Sequence, residues 1–186
     1  MTLTSKPNLR RFMVLIPIFL LMITFGVIMG CTDTETPSEQ NSESIQILSG
    51  AIDVEGKGIS ITFTDNESNK NDMRYIVHDE DIIAVVNQLN AAGAEVISIN
   101  DEWLISTSKI KANGMSIKVN NNDYNSPFII KAIGDPDALS DALKADKSYV
   151  GLLRNDVGVK IEKEDKLLIP KYKENIYFRF AKPVKN

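Results

Sequence analysis

Chemistry in this chain would start at His78-Asp79-Glu80-Asp81, where the single histidine stands beside three carboxylates. Such a set offers donors for a metal ion or an acid–base pair. The same residues also stand where a helix should begin, and the free backbone N–H groups of a helix start already account for acidic side chains there. A Ser-His-Asp site would need this one histidine, and no second histidine exists to complete a His-x-x-x-His pair. Asp135 and Asp137 beside Gly134 form a second acidic junction. A helix start can receive an anion, but two aspartates would repel one, so capping is the better reading. Cys31 adjoins an apolar run and is no nucleophile for a folded domain. Neither a Gly-x-Gly-x-x-Gly phosphate loop, a Lys-bearing one, nor a serine nucleophile elbow occurs. The chain is therefore expected not to be an enzyme, with no catalytic, cofactor-binding or metal residues and no cofactor. Trp103, the lone tryptophan, suits a packed sheet face better than an interface anchor.

The elements that would position these residues follow from periodicity. Ile59-Ser60-Ile61-Thr62-Phe63 alternates as a half-buried strand, and Thr64 to Met73 reads as a polar loop. A helix is expected from Glu80 to Ala92 with Asp79 as N-cap. Ile82, Val85, Val86 and Leu89 form its stripe, and Gly93 ends it. Val96 to Ile99 is a short strand, Asn100-Asp101 a turn and Glu102 to Ile105 its return. Alternation on either side of Asn113-Gly114 predicts a hairpin with a type I′ turn there. Asn120 to Asn125 reads as another turn. Phe128 to Ile133 is nearly all apolar and suits a central strand, and Asp135 with Pro136 opens a second helix carrying Leu139, Ala142 and Leu143. A further short helix is expected around Tyr149 to Leu153. Val159 and Ile161 then begin a strand, Glu164-Asp165 a turn, and Leu167 to Ile169 a last strand before Pro170. The order implies an α+β fold: a ferredoxin-like plait with a mixed or antiparallel sheet and extra hairpin strands.

Ahead of this domain, Phe12 to Gly30 is nineteen residues without a charge. As a helix it would span about 28 Å, close to the hydrocarbon thickness of a bilayer. Lys6, Arg10 and Arg11 precede it and Asp33, Glu35, Glu39 and Glu43 follow. This predicts one transmembrane helix over residues 12–30, a cytoplasmic N-terminus over 1–11, and an extracytoplasmic domain in a single-pass cell-membrane protein. Two other readings stay open: Ile28-Met29-Gly30-Cys31 resembles a bacterial lipoprotein processing box, and simple secretion is the third. Residues 31–55 read as a polar connector, residues 56–170 as the domain, and 171–186 as a basic aromatic tail with Tyr172, Tyr177, Phe178 and Phe180. That tail would add an edge strand, dock on the domain or bind another chain. The net charge is −4, and the chain from Lys160 onward carries eight Lys/Arg against four Asp/Glu. The acidic body excludes a nucleic-acid binder.

Long phrases of the domain are similar to the bacterial DUF881 family, of unknown function: Tyr75-Ile76-Val77-His78-Asp79-Glu80-Asp81, then Val85 to Glu95, Ile97-Ser98-Ile99-Asn100, and Pro127 to Leu139. The resemblance spans Gly58 to Pro170. It implies a single-pass membrane protein of Gram-positive bacteria with a ferredoxin-like domain, often encoded near cell-division genes, and no established activity or binding residues. Three departures stand out. A coiled coil usual after the anchor has no room here, the family's Gln-Arg-Leu is Glu102-Trp103-Leu104, and its cysteine before the hairpin turn is Ala112. The functional expectation is a non-enzymatic, membrane-anchored interaction or structural domain. It would contact membrane lipid through residues 12–30 and another envelope or division protein outside the cell. The alternative is a small-ligand-binding or enzymatic domain with its site near helix N-termini.

Overall fold

The computed structural model describes residues 37–69, 72–145, 150 and 156–184. The chain divides into residues 1–40, of which only the opening turn of one helix is described, and residues 41–186, which hold everything discussed below.

Among the described residues no helix is long and apolar enough to cross a membrane. Residues 12–30, with Cys31 just after them, lie outside the described residues. This corrects the expectations of a transmembrane helix, of contact with membrane lipid, of a single-pass extracytoplasmic placement and of a membrane-anchored envelope role. The fold is an α+β domain with an antiparallel sheet.

Helix α1 (Pro37–Leu48) leads into β1 (Val54–Thr64). Two 3-10 turns, Glu67–Asn69 and Met73–Tyr75, precede α2 (Asp79–Ala91). There follow β2 (Val96–Ile99), β3 (Glu102–Trp103), β4 (Ile110–Asn113), β5 (Ser116–Val119), β6 (Asn122–Tyr124) and β7 (Phe128–Ile133). Helix α3 (Pro136–Lys144) and β8 (Gly158–Ile169) complete the domain. The main sheet has the order β3-β2-β7-β1-β8, and β4-β5-β6 form a separate three-stranded sheet. Each β-α-β unit returns its second strand one place away rather than alongside, leaving room for the other unit between, as in a split plait.

The main core lies between this sheet and helices α2 and α3. Ile59, Ile61 and Phe63 of β1, Phe128, Ile130 and Ala132 of β7, and Ile97 and Ile99 of β2 meet Ile82, Val85 and Leu89 of α2 and Leu139 and Leu143 of α3. Each of these side chains other than Ala132 contributes roughly 1.5–3 kcal/mol by burial. Strand β7 lies between β1 and β2, which is why its sequence is nearly continuous in apolar residues.

The sheet also buries residues on its other face, and β8 makes this possible. Ile161 pairs with Ile61 and Val159 with Phe63, so both lean on the main core. The register shifts beside Gly56 and Gly58, after which Leu167 pairs with Gly56 and Ile169 with Val54. One extra residue on β8 turns its far end over. Leu167 and Ile169 therefore join Val96, Ile133 and Trp103 in a second cluster, with Ile47 of α1, Val54, Ile105 and Tyr172 packed against it. The turn expected at Glu164-Asp165 is this bulge within a continuous strand: β1 runs past it as an unbroken partner.

Other local differences have equally local causes. His78 is the N-cap of α2, because Asp79 is the first helical residue and Asp81 Oδ2 accepts the His78 N–H at 2.7 Å. Asn113 belongs to β4 and pairs with Ser116, leaving Gly114 (φ 66°) and Met115 as the turn. The pair of positive-φ residues expected there occurs instead at Asn100 (φ 47°) and Asp101 (φ 63°), between β2 and β3. Asn122 to Tyr124 forms β6 rather than a turn. Residues 37–48 are helical, where the sequence allows a flexible or weakly helical spacer up to Ser44 and a short strand or helix turn from Ile45. The short helix expected around Tyr149 to Leu153 lies outside the described residues except for Val150, which is buried.

A Cβ on Gly58 would fall 2.0 Å from the Ala132 carbonyl oxygen, whereas one on Gly56 would meet only the Ile133 side chain, at 2.8 Å. Gly58→Ala should therefore lower the unfolding free energy by about 2 kcal/mol or more, and Gly56→Ala by less. Urea denaturation of the two variants checks this; a neutral Gly58→Ala would contradict the close strand approach.

Candidate functional site

Both acidic junctions that the sequence offers for chemistry make bonds within the fold. Asp79 Oδ2 accepts the Ala112 N–H at 2.7 Å, tying the start of α2 to β4. Asp81 is buried and closes the His78 cap. Asp135 Oδ1 accepts the Asp137 and Ala138 N–H groups at 2.9 and 3.1 Å, and these bonds hold its carboxyl below the usual carboxylate range. Asp137 is paired with Lys163 of β8, a contact that raises the lysine's affinity for its proton. Among the described residues, no group of three or more His, Cys, Asp or Glu stands where it could hold a metal ion.

Sequence reasoning missed one further carboxylate. Glu102 is 1% exposed. Its Oε1 accepts from Asn122 Nδ2 and Tyr124 Oη, both at 2.9 Å, and from Lys173 Nζ at 3.1 Å. One oxygen thus joins β3, β6 and the C-terminal tail. Burial and the bond to Glu102 push the Tyr124 hydroxyl up to about 12. Its signal in the sequence is weak: Glu102 lies in a two-residue strand beside Trp103.

Trp103 is 3% exposed and pairs with Ser98 across the β2–β3 ladder. Gly50, at φ +68°, passes over it: a Cβ there would meet Tyr172 Cβ at 2.9 Å, Ile105 Cγ2 at 3.4 Å and Trp103 Cδ2 at 3.5 Å. The Tyr172 N–H donates to the Gly50 carbonyl at 2.8 Å, so the exit of α1 and the start of the tail are bonded together above the tryptophan. The loop after β3 is pinned as well. Its Leu104 N–H donates to the Ile97 carbonyl, and the Ile105 N–H to Ser108 Oγ at 2.9 Å.

This arrangement leaves apolar side chains pointing outward. Ile47 faces the second cluster, while its neighbours on α1, Ile45 (65% exposed) and Leu48 (78%), face away. With Ile105, Ile176 and Phe178 they line an open notch of about 290 Å³. Ile105 and Ser106 also line a larger groove of about 490 Å³ beside α2, bounded by Ile83, Val86, Leu104 and Ile110 with Asn87, Asn90 and Glu95 among them. The expected tail docking is confined to its start. Tyr172 packs down, while Tyr177, Phe178 and Phe180 remain exposed in a segment with no regular structure.

Residues 41–182 match the family model described as bacterial protein of unknown function (DUF881), and the chain belongs to that family. Among its relatives, the UPF0749 protein YlxW of Bacillus subtilis is 33% identical over 129 residues, covering 67% of this chain and 56% of that protein. The UPF0749 protein Rv1823 of Mycobacterium tuberculosis is 32% identical over 143 residues, covering 68% and 46%. The chain thus spans about half the length of these curated relatives. A crystal structure of an uncharacterized conserved protein from Mycobacterium tuberculosis superposes with a TM-score of 0.65 at 26% identity, over 77% of this chain and 99% of that one.

Because Tyr124 holds its proton more tightly when folded, its contribution to stability is fully present below pH 10 and is lost as pH rises through about 12. Glu102→Gln should bring one tyrosine ionisation back toward 10, read as tyrosinate absorbance. An unchanged titration would place Tyr124 outside the influence of Glu102.

Proposed function

We propose that this domain is a non-catalytic protein-binding module, taking an apolar segment of a partner on the face made by α1, the loop after β3 and the tail. The observation that carries the reading is the grouping of Ile45, Leu48, Ile176 and Phe178 around one notch, each exposed, with further exposed Tyr177 and Phe180 in the same tail. A contiguous outward apolar patch of this kind marks an interaction surface, whereas isolated exposed residues do not. Aromatic residues concentrate binding energy when a partner desolvates them. Lys173 is held by Glu102, but Lys171, Arg179 and Lys182 also bracket these residues in the chain against Glu174 alone, which favours a partner segment with acidic flanks. The non-catalytic part of the reading is supported by the carboxylates themselves: Asp79, Asp81, Asp135 and Glu102 are each engaged in bonds that fix the fold.

A photo-crosslinking residue placed at Leu48 or Phe178 of the full chain in its native cells should give a discrete protein adduct, and one at Glu67 should not. Phe178→Asp should lower the Leu48 adduct at least tenfold with the thermal midpoint unchanged. Equal, diffuse labelling from all three positions would overturn the reading.

A further inference from the structure

Strand β8 closes the main sheet on one side and pairs only with β1 among the described residues. Its outer edge offers backbone N–H and C=O groups to another strand. We propose that this edge pairs with the same edge of a second copy of this chain, antiparallel about a two-fold axis at Ile161, continuing the sheet across two molecules. The inference does not depend on the apolar face described above.

The register follows from three observations. First, when a strand pairs with its own copy antiparallel, residues directed at the partner must meet residues directed the same way. The two-fold axis therefore passes through one residue and its counterpart, and possible registers differ by steps of two positions along the strand. Second, the longest uninterrupted stretch of the β8 ladder runs from Gly158 to Glu164, and the bulge separates it from the short stretch Leu167 to Ile169. The midpoint of that regular stretch is Ile161.

Third, the charges agree with this midpoint. With the axis at Ile161, Lys160 of each copy faces Glu162 of the other, Val159 faces Lys163, and Gly158 faces Glu164. No like charges are opposed. Moving the axis by one residue toward the start of the strand places Lys160 on Lys160, and moving it one residue toward the end places Glu162 on Glu162. Like charges directly opposite destabilise a strand pair. Lys160 and Glu162 already form an ion pair within the strand at 2.9 Å, both well exposed on the sheet face away from α2 and α3. Across the axis, the two such pairs would make an alternating square in which every charge has opposite neighbours along and across the strands. Exposed ion pairs add little affinity by themselves. Their role here is to select one register for a backbone-driven contact of the strand-addition type.

Charged side chains on an edge strand can also serve to keep other strands away, and the test separates the two roles. In the full chain with Cys31→Ser, Ile161→Cys places the two sulfurs at the axis, at a spacing compatible with a disulfide. Asp165→Cys places them eight residues apart, roughly 26 Å. Mild oxidation should give a disulfide-linked dimer from Ile161→Cys at least tenfold faster than from Asp165→Cys. Adding Lys160→Glu or Glu162→Lys alone should slow that crosslink at least tenfold. Adding both together should restore it, an outcome that a merely unfolded variant would not give. Equal crosslinking at the two cysteine positions, single reversals without effect, or failure of the double reversal to rescue would each overturn the proposal.

Discussion

A sheet that buries apolar residues on both faces must be covered on both faces, and in this domain that requirement is created by a single extra residue in β8. Upstream of the bulge, Val159 and Ile161 turn toward the helices; downstream, Leu167 and Ile169 turn the other way. The reversal adds Leu167 and Ile169 to the apolar surface on the far side of the sheet. With it, Val96, Ile133, Trp103, Leu167 and Ile169 form a floor that α1 and the start of the tail must cover.

The candidate binding face is a consequence of that cover. Ile47 and Tyr172 point into the floor, and the bond between the Tyr172 N–H and the Gly50 carbonyl joins the two segments above Trp103. Glu102 adds a second tie, since its one oxygen holds both β6 and Lys173. Once Ile47 is committed inward, Ile45 and Leu48 on the same short helix are directed to solvent. The outward patch and the inward packing are thus two sides of one arrangement.

Much of the core was legible in the sequence because local pattern and tertiary environment agree. The apolar run Phe128 to Ile133 is central, the stripe Ile82, Val85 and Leu89 faces the sheet, and Asp135 with Pro136 begins α3. The second face was not legible. Glu164-Asp165 is as polar as a turn, and only the uninterrupted length of β1 opposite makes it a bulge. Residues 37–48 have the composition of a linker, and the inward role of Ile47 exists only because a distant strand supplies its floor. Glu102 was missed for a related reason: its partners Asn122, Tyr124 and Lys173 are 20, 22 and 71 positions away. Asp79 and Asp81, beside the one histidine, serve the helix start and β4 through bonds that reach three and thirty-three positions along the chain.

The central claim is that the second cluster, and not local propensity, holds α1 and the tail on the sheet. Amide hydrogen exchange on the full chain carrying Trp103→Ala tests it most directly. The account predicts that the Tyr172 amide, bonded to Gly50, loses its protection together with the last turn of α1, while the amides of β7 keep theirs. Retained protection at Tyr172, or a uniform loss across the whole domain, would contradict it.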